Sequence, residues 1–248
     1  MFSFFKKKTT QPLEGFTLST DIHSHVLPGI DDGSPDVETS IRLIKGMYDT
    51  GIRKMVATPH VISDLYRNTP ESIHKALELL KPAMLEAGIP MELTAAAEYM
   101  IDDHFMQLLH QRSPLLTLHK NIILTEISYM TPPSNLEEMA FTIITEGYLP
   151  IMAHPERYSY YHHDHDAYYR LIELGFVLQV NLLSLTGYYG KAVAKAARFI
   201  LDKGLAALVG TDLHHDRHLK ALQDPHNQQL FSEYLSKKQY NDLESLAV

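Results

Sequence analysis

Short apolar runs separated by longer stretches of helical period recur along the whole chain, and no other feature limits its possible folds so strongly. Candidate strands are Leu18 to His23, Lys54 to Pro59, Glu92 to Ala97, Ile122 to Glu126, Leu149 to Ala153, Val177 to Asn181 and Ala207 to Thr211, seven in all. Between Ser34 and Thr50, Val37, Ile41, Ile44 and Tyr48 recur at helical steps, with Asp36, Glu38, Arg42 and Lys45 largely on the opposite side. Ser34 reads as the N-cap of this helix, with Pro35 at its first position and Gly51 just past its end. Thr69-Pro70-Glu71 starts another helix, and Ser134-x-x-Glu137 reads as a capping box for a third. Gly88, Gly147, Gly175 and Gly204 each fall where a helix must stop before the next apolar run. Strands alternating with helices require crossover connections, hence a parallel sheet. With 248 residues, 45% of them hydrophobic, the expectation is an α/β barrel over residues 16–248, preceded by a tail at 1–15.

Composition removes several classes of function. Twenty-two Lys and Arg against 30 Asp and Glu give a formal net charge of -8, which opposes the counterion-release attraction that nucleic-acid binders use. Cysteine is absent, so thiolate metal sites, disulfides and a cysteine nucleophile are all excluded. No apolar run is long enough to span a bilayer, and the expected location is the cytoplasm. The start, Phe2-Ser3-Phe4-Phe5-Lys6-Lys7-Lys8, has the chemistry to graze an anionic membrane surface and is otherwise a simple tail.

Chemistry gathers at the strand ends. The first candidate strand runs into Asp21-Ile22-His23-Ser24-His25, where a period of two puts both histidines on one face. Later strands lead into His60, Glu98, Glu126, His154, and Asp212 with His214, while Asp31 and Asp32 lie on the first loop. In a parallel barrel all carboxyl ends open on one face, so these residues converge. Imidazole and carboxylate without thiolate suit Zn, Mn or Fe, and so rich a set has room for more than one ion. Adjacent ions sharing a hydroxide nucleophile are the arrangement used for displacement at phosphorus.

Asp21-Ile22-His23-Ser24-His25, Asp31-Asp32-Gly33, Ala57-Thr58-Pro59-His60, His154-Pro155-Glu156-Arg157-Tyr158 and Thr211-Asp212-x-His214 together resemble the polymerase and histidinol phosphatase (PHP) superfamily. Within it they are most similar to the bacterial manganese-dependent protein-tyrosine phosphatases of capsule and exopolysaccharide biosynthesis. The resemblance runs from about Leu18 to about Leu222 in unbroken motif order. It implies a distorted seven-stranded TIM-like barrel and about three divalent ions, manganese first, with iron, cobalt or zinc as alternatives. The implied partner is a phosphotyrosine protein, a bacterial polysaccharide-export tyrosine kinase.

Carried over position by position, His23, His25, Glu98 and Asp212 would surround a first ion, and Glu98 would bridge to a second held by Glu126 and His154. Asp32, His60 and His214 would hold the third. Asp32 stands where other branches usually place a histidine, which favours the tyrosine-phosphatase branch. Arg157 matches an arginine near the phosphate, and Arg217 is the candidate for a second, although His215 stands where many relatives carry asparagine and the offset differs. Other phosphoesterases of the superfamily, acting on histidinol phosphate or a small phosphorylated metabolite, remain an alternative, as does a non-catalytic metal-binding or kinase-docking module. A metal-dependent amidohydrolase also uses His-x-His after its first strand, but no lysine ends a mid-barrel strand here to serve as a bridging carbamate.

Overall fold

The computed structural model describes residues 18–247; the Phe- and Lys-rich segment Met1 to Lys8 lies outside them. The strands are β1 (Thr20–Asp21), β2 (Lys54–Ala57), β3 (His60–Val61), β4 (Glu92–Ala95), β5 (Glu98–Met100), β6 (Ile122–Glu126), β7 (Leu149–Ala153), β8 (Val177–Asn181) and β9 (Ala206–Gly210). All ladders between them are parallel. Two of the expected strands are each broken in two. Pro59, which has no N–H to give a ladder, separates β2 from β3, and Ala96-Ala97 separates β4 from β5.

Pairing nonetheless continues across both breaks in constant register: Lys54 lies opposite Glu92, Ala57 opposite Ala95, and His60 opposite Glu98. Ala96 N–H donates to Ala57 C=O at 2.8 Å and Glu98 N–H to Pro59 C=O at 3.0 Å, bridging the gap. Seven strand positions therefore form the distorted barrel that the alternation predicts. β6, β7 and β8 fall on the expected residues, β9 begins one residue early, and β1 is shorter than Leu18 to His23.

The ring closes between the first and last strands through side chains as much as backbone. At the carboxyl end Ser24 bridges Leu213, with His25 N–H donating to Leu213 C=O and Asp212 N–H to His23 C=O, both at 2.9 Å. Buried Asp21 accepts from Thr211 N–H (3.0 Å) and Thr211 Oγ1–H (2.5 Å). At the amino end Asn241 replaces a ladder: its Nδ2 donates to Thr20 C=O and Val209 C=O (each 3.0 Å), and its Oδ1 accepts from Val209 N–H (2.9 Å).

Helices α1 (Val37–Thr50), α2 (Pro70–Glu86), α3 (Asp103–His110), α4 (Leu136–Thr145), α5 (Asp166–Glu173), α6 (Lys191–Asp202), α7 (Asp216–Gln223) and α8 (Pro225–Leu235) follow, with a short α9 (Leu243–Leu246) at the end. Strand period two divides their packing. Ile123, Met152, Leu178, Val180 and Val209 face outward into the large core beneath the helices. Ile22, Ile122, Leu124, Ile151, Ala153 and Leu208 form a small inner cluster, against which Leu243 and Leu246 of α9 pack.

Two caps differ from expectation. Asp36, not Ser34, caps α1, because its carboxylate accepts from Thr39 N–H at 2.8 Å while Ser34 Oγ turns to Asp36 C=O. Asn135 occupies the N-cap of α4 with no side-chain capping bond, so Ser134 and Glu137 form no capping box. Thr69 caps α2 as expected, and Gly51 ends α1 at φ 113°. Replacing Asn241 with Ala removes three hydrogen bonds from the seam; a loss of about 2–3 kcal/mol of unfolding free energy is expected in urea titrations, with bound metal per folded chain unchanged.

Candidate metal centre

The inner face changes character towards the carboxyl end of the strands. Ile122 and Leu124 of β6 are followed at the same period by Glu126; Val177 of β8 by Gln179 and Asn181; and Leu208 of β9 by Gly210 and Asp212. Above the apolar plug lies a buried polar layer containing His23, His25, Glu98, Glu126, His154 and Asp212, with His60 and His214 slightly exposed at its upper edge. Glu98 is the hub. Its Oε1 lies 2.9 Å from His154 Nε2 and 3.4 Å from His23 Nε2; its Oε2 lies 3.0 Å from His60 Nδ1 and 3.4 Å from His25 Nε2. Glu126 Oε1 is 3.0 Å from His60 Nδ1, and Asp212 Oδ1 stands 3.4–3.5 Å from His23, His25 and His214. Asp32 Oδ1 reaches His60 Nε2 and His214 Nε2, each at 3.5 Å.

Second partners hold the imidazoles in one tautomer. Asp212 Oδ2 accepts from Asn181 Nδ2 (2.7 Å), Asn181 Oδ1 from Gln179 Nε2 (2.9 Å), and Gln179 Oε1 from His23 Nδ1 (2.8 Å). A chain of donors anchored on a carboxylate thus puts the His23 proton on Nδ1 and turns Nε2 to the cluster. His25 Nδ1 donates to Asp31 Oδ2 (2.8 Å) and His214 Nδ1 to the Asp212 carbonyl (2.9 Å), with the same result. The three residues of Asp31-Asp32-Gly33 divide the work of the first loop. Asp31 orients His25, Asp32 faces His60 and His214, and Gly33 packs so tightly that a Cβ would lie 2.1 Å from the His25 carbonyl oxygen. His154 and Asp212 both adopt left-handed backbone (φ 37° and 52°), which costs energy in a non-glycine residue and here aims two site side chains inward.

The electrostatics are those of a site seeking positive charge. Burial pushes the Glu98 carboxyl up, yet the facing His23 and His60 rings outweigh it and hold it well below the carboxylate range. Burial disfavours a charged His25, but the Asp31 and Glu98 carboxylates push its imidazole up to about 10. Burial likewise disfavours charged His60, and Glu98 and Glu126 raise it well above its ordinary value. His154 goes the other way, lowered by burial.

Geometry makes the same case. His60 Nδ1, Glu98 Oε2 and both Glu126 oxygens are buried, and although His60 Nδ1 lies 3.0 Å from Glu98 Oε2 and from Glu126 Oε1, none of them makes a hydrogen bond of proper geometry. Orphaned carboxylate oxygens are costly unless a cation satisfies them, and imidazole and carboxylate are the donors divalent transition ions accept. Four overlapping sets have one donor atom per residue within 4.8 Å of each other: His25, Asp32, His60 and His214; His23, His25 and Asp212; His23, Glu98 and His154; His60, Glu98 and Glu126. Glu126 thus groups with His60, and His154 with His23, whereas the family pattern puts Glu126 with His154. In the ladders His60 lies directly opposite Glu98, and Glu126 sits opposite Met100, two residues beyond Leu124, the partner of Glu98.

A cavity of about 290 Å³ opens over this layer, lined by Asp32, His60, Tyr129, His154, Arg157, Tyr189, Asp212, His214, His215 and His218. Arg157 sits on the turn after β7, its Nη1 2.6 Å from Asp212 Oδ2. Arg217 is exposed on α7 and is not among the lining residues; His218, one position on and therefore on another face of the helix, is buried and takes that place.

Sequence reasoning missed Tyr129, Gln179, Asn181 and Glu156. Glu156 is buried, accepts from Asn181 N–H (2.9 Å) and Ser184 Oγ–H (2.7 Å), and pins the turn that carries Arg157; burial pushes its carboxyl up to about 7. The polar pair Gln179 and Asn181, at period two in an otherwise apolar strand, was the available signal. Of the tyrosines clustered in the later loops, Tyr189 lines the cavity, whereas Tyr158 and Tyr168 are core residues.

Fold and site together define a class: an α/β barrel that collects imidazoles and carboxylates at the carboxyl end of its strands around places fitted to cations. Within that class, the chain belongs to the CpsB/CapC family of capsular polysaccharide synthesis, whose model matches residues 19–243. It is 30% identical over 195 residues, 79% of this chain and 77% of the relative, to the tyrosine-protein phosphatase YwqE of Bacillus subtilis. It is 26% identical over 201 residues, 79% and 82% of the two chains, to the tyrosine-protein phosphatase CpsB of Streptococcus agalactiae. It superimposes with a TM-score of 0.78, at 28% identity and covering 92% and 90% of the two chains, on a crystal structure from work describing YwqE of B. subtilis and CpsB of Streptococcus pneumoniae as metal-dependent tyrosine phosphatases. A lactonase of Listeria monocytogenes, at 14% identity and a TM-score of 0.53 over 92% of this chain and 90% of its own, shares the fold alone.

Replacing Gln179 with Leu leaves His23 free to change tautomer; metal affinity is expected to fall about 10- to 100-fold in competition titrations against a chromophoric chelator, with little change in far-UV circular dichroism.

Proposed function

We propose that this chain is a metal-dependent protein-tyrosine phosphatase of capsule or exopolysaccharide synthesis, acting on a phosphotyrosine protein, with a bacterial tyrosine kinase as its partner. The observation that carries this reading is the juxtaposition of an arginine-bearing cavity with buried Glu98, Glu126 and His60 atoms that make no hydrogen bond. His23, His25, Asp32, His60, Glu98, Glu126, His154, Asp212 and His214 would hold about three divalent cations, manganese foremost, with Glu98 shared between sites. Bound there, such ions supply an activated water at neutral pH and offset the charge of the phosphate.

The chain's own residues do the rest. Arg157 meets phosphate oxygens with a planar guanidinium suited to paired hydrogen bonds. Asn181 and Gln179 keep Asp212 and His23 in place throughout the reaction. Arg217, exposed and away from the cavity lining, would reach the phosphate only through movement of α7, so Arg157 carries the anion contact in this reading. The absence of cysteine removes the thiolate route to phosphotyrosine hydrolysis. Among the described residues no helix is long and apolar enough to cross a membrane.

The test is release of phosphate from a phosphotyrosine peptide after chelator treatment and restoration of Mn, Co, Zn or Mg. Activity is expected with Mn or Co, lost in Glu98→Ala and reduced about 100-fold or more in Arg157→Ala. Turnover by fully metal-free protein, or preference for histidinol phosphate over the peptide, would overturn it.

A further inference from the structure

Arg157 is flanked by two aromatic rings from different loops. Its guanidinium carbon lies 4.6 Å from the centroid of Tyr189 and 5.0 Å from that of Tyr129, and all three residues line the cavity. These distances are within the range of cation–π attraction, which is strongest where water is excluded. Neither ring is held only by the arginine. Tyr129 stacks on His154 (centroids 5.8 Å, interplanar angle 20°), and its hydroxyl lies 3.3 Å from His154 Nδ1. It also packs on Tyr158, whose buried hydroxyl accepts from Ile127 N–H (3.1 Å) and donates to Ala153 C=O (3.2 Å), tying the loop after β6 to the end of β7. Tyr189 is seated against His218, its hydroxyl 3.5 Å from Nε2, and His218 Nδ1 lies 3.1 Å from the Asp212 carbonyl.

A long arginine side chain otherwise loses much rotamer freedom on meeting an anion. Here the alternative to presentation is also clear: Nη1 is already drawn to Asp212 at 2.6 Å, and an arginine free to turn would put more of its edge on that carboxylate. We propose that Tyr129 and Tyr189 are positioning residues, a two-ring clamp that fixes the plane of the Arg157 guanidinium so that one edge stays on Asp212 while the rest faces the cavity to receive a phosphate oxygen. The clamp gives anion affinity by pre-organisation, and it couples that affinity to the loops after β6 and β8. The inference rests on the phosphatase reading for the identity of the anion.

The experiment uses the metal-loaded full chain and inorganic phosphate as probe. Calorimetric phosphate affinity and KM and kcat for p-nitrophenyl phosphate are measured in Tyr189→Leu, Tyr129→Leu, Tyr189→Phe, Arg157→Ala and the double variant Arg157→Ala/Tyr189→Leu, with metal per chain and Tm determined for each. Tyr189→Leu is expected to weaken phosphate binding and raise KM about 5- to 10-fold, with kcat changed less and metal content unchanged. Tyr189→Phe, which keeps the ring, recovers most of the affinity, and in the Arg157→Ala background Tyr189→Leu has no further effect. Equal loss in the Phe and Leu variants, or full additivity with Arg157→Ala, overturns the clamp. Turnover of p-nitrophenyl phosphate by the unaltered chain checks the phosphatase reading separately, because phosphate affinity tests the clamp whether or not catalysis is seen.

Discussion

Around Glu98 the chain has placed three fully buried imidazoles, the slightly exposed His60 and a second buried carboxylate, a combination that ordinary packing does not tolerate. Charged groups taken from water lose several kcal/mol of solvation each, and this loss is recovered only where opposite charge is close and well aligned. In this layer the recovery is incomplete within the protein, since atoms of His60, Glu98 and Glu126 make no hydrogen bond of proper geometry. Everything around them acts to keep that arrangement from relaxing. The apolar plug below, the tautomer-fixing partners beside it and the left-handed turns at His154 and Asp212 each remove a route by which the cluster would satisfy itself.

The same constraint explains why closure of the ring matters to chemistry. His23 and His25 come from the first strand's extension and Asp212 and His214 from the last, so the two ends of the fold meet inside the site. Asp21 and Thr211 lock that meeting at one level and Asn241 at the other. Long-range order across nearly the whole chain is thus brought to bear on a few ångströms.

Much of this was legible in the residues. Helix stops at Gly88, Gly147, Gly175 and Gly204, all with positive φ, gave the rhythm of the barrel, and the ligand-type residues at strand ends gave the face on which imidazoles and carboxylates converge. Pro59 concealed the break between β2 and β3, because a proline at the end of an apolar run reads equally as a strand terminus. Ser34 misled because serine is a good cap in general, whereas the local backbone gives the position to Asp36. Arg217 shows the limit of motif matching: one step along α7 decides whether a side chain faces the cavity or solvent, and the sequence offers both His218 and Arg217 without saying which is turned inward. Tyr129 left no trace at all, since its role depends on contact with a loop far away in sequence.

The unbroken register across Pro59 has a further meaning. Because His60 stands opposite Glu98 in a ladder and Glu126 two residues beyond the partner of Glu98 on the next strand, the levels from which these donors reach inward are set by backbone pairing, and the side chains cover only what remains of the ordinary interstrand distance of about 4.8 Å. The barrel wall acts as a ruler. A lineage altering the chemistry of this layer needs only to exchange side chains along this scale, whereas altering the spacing of the levels would require re-registering the strands themselves.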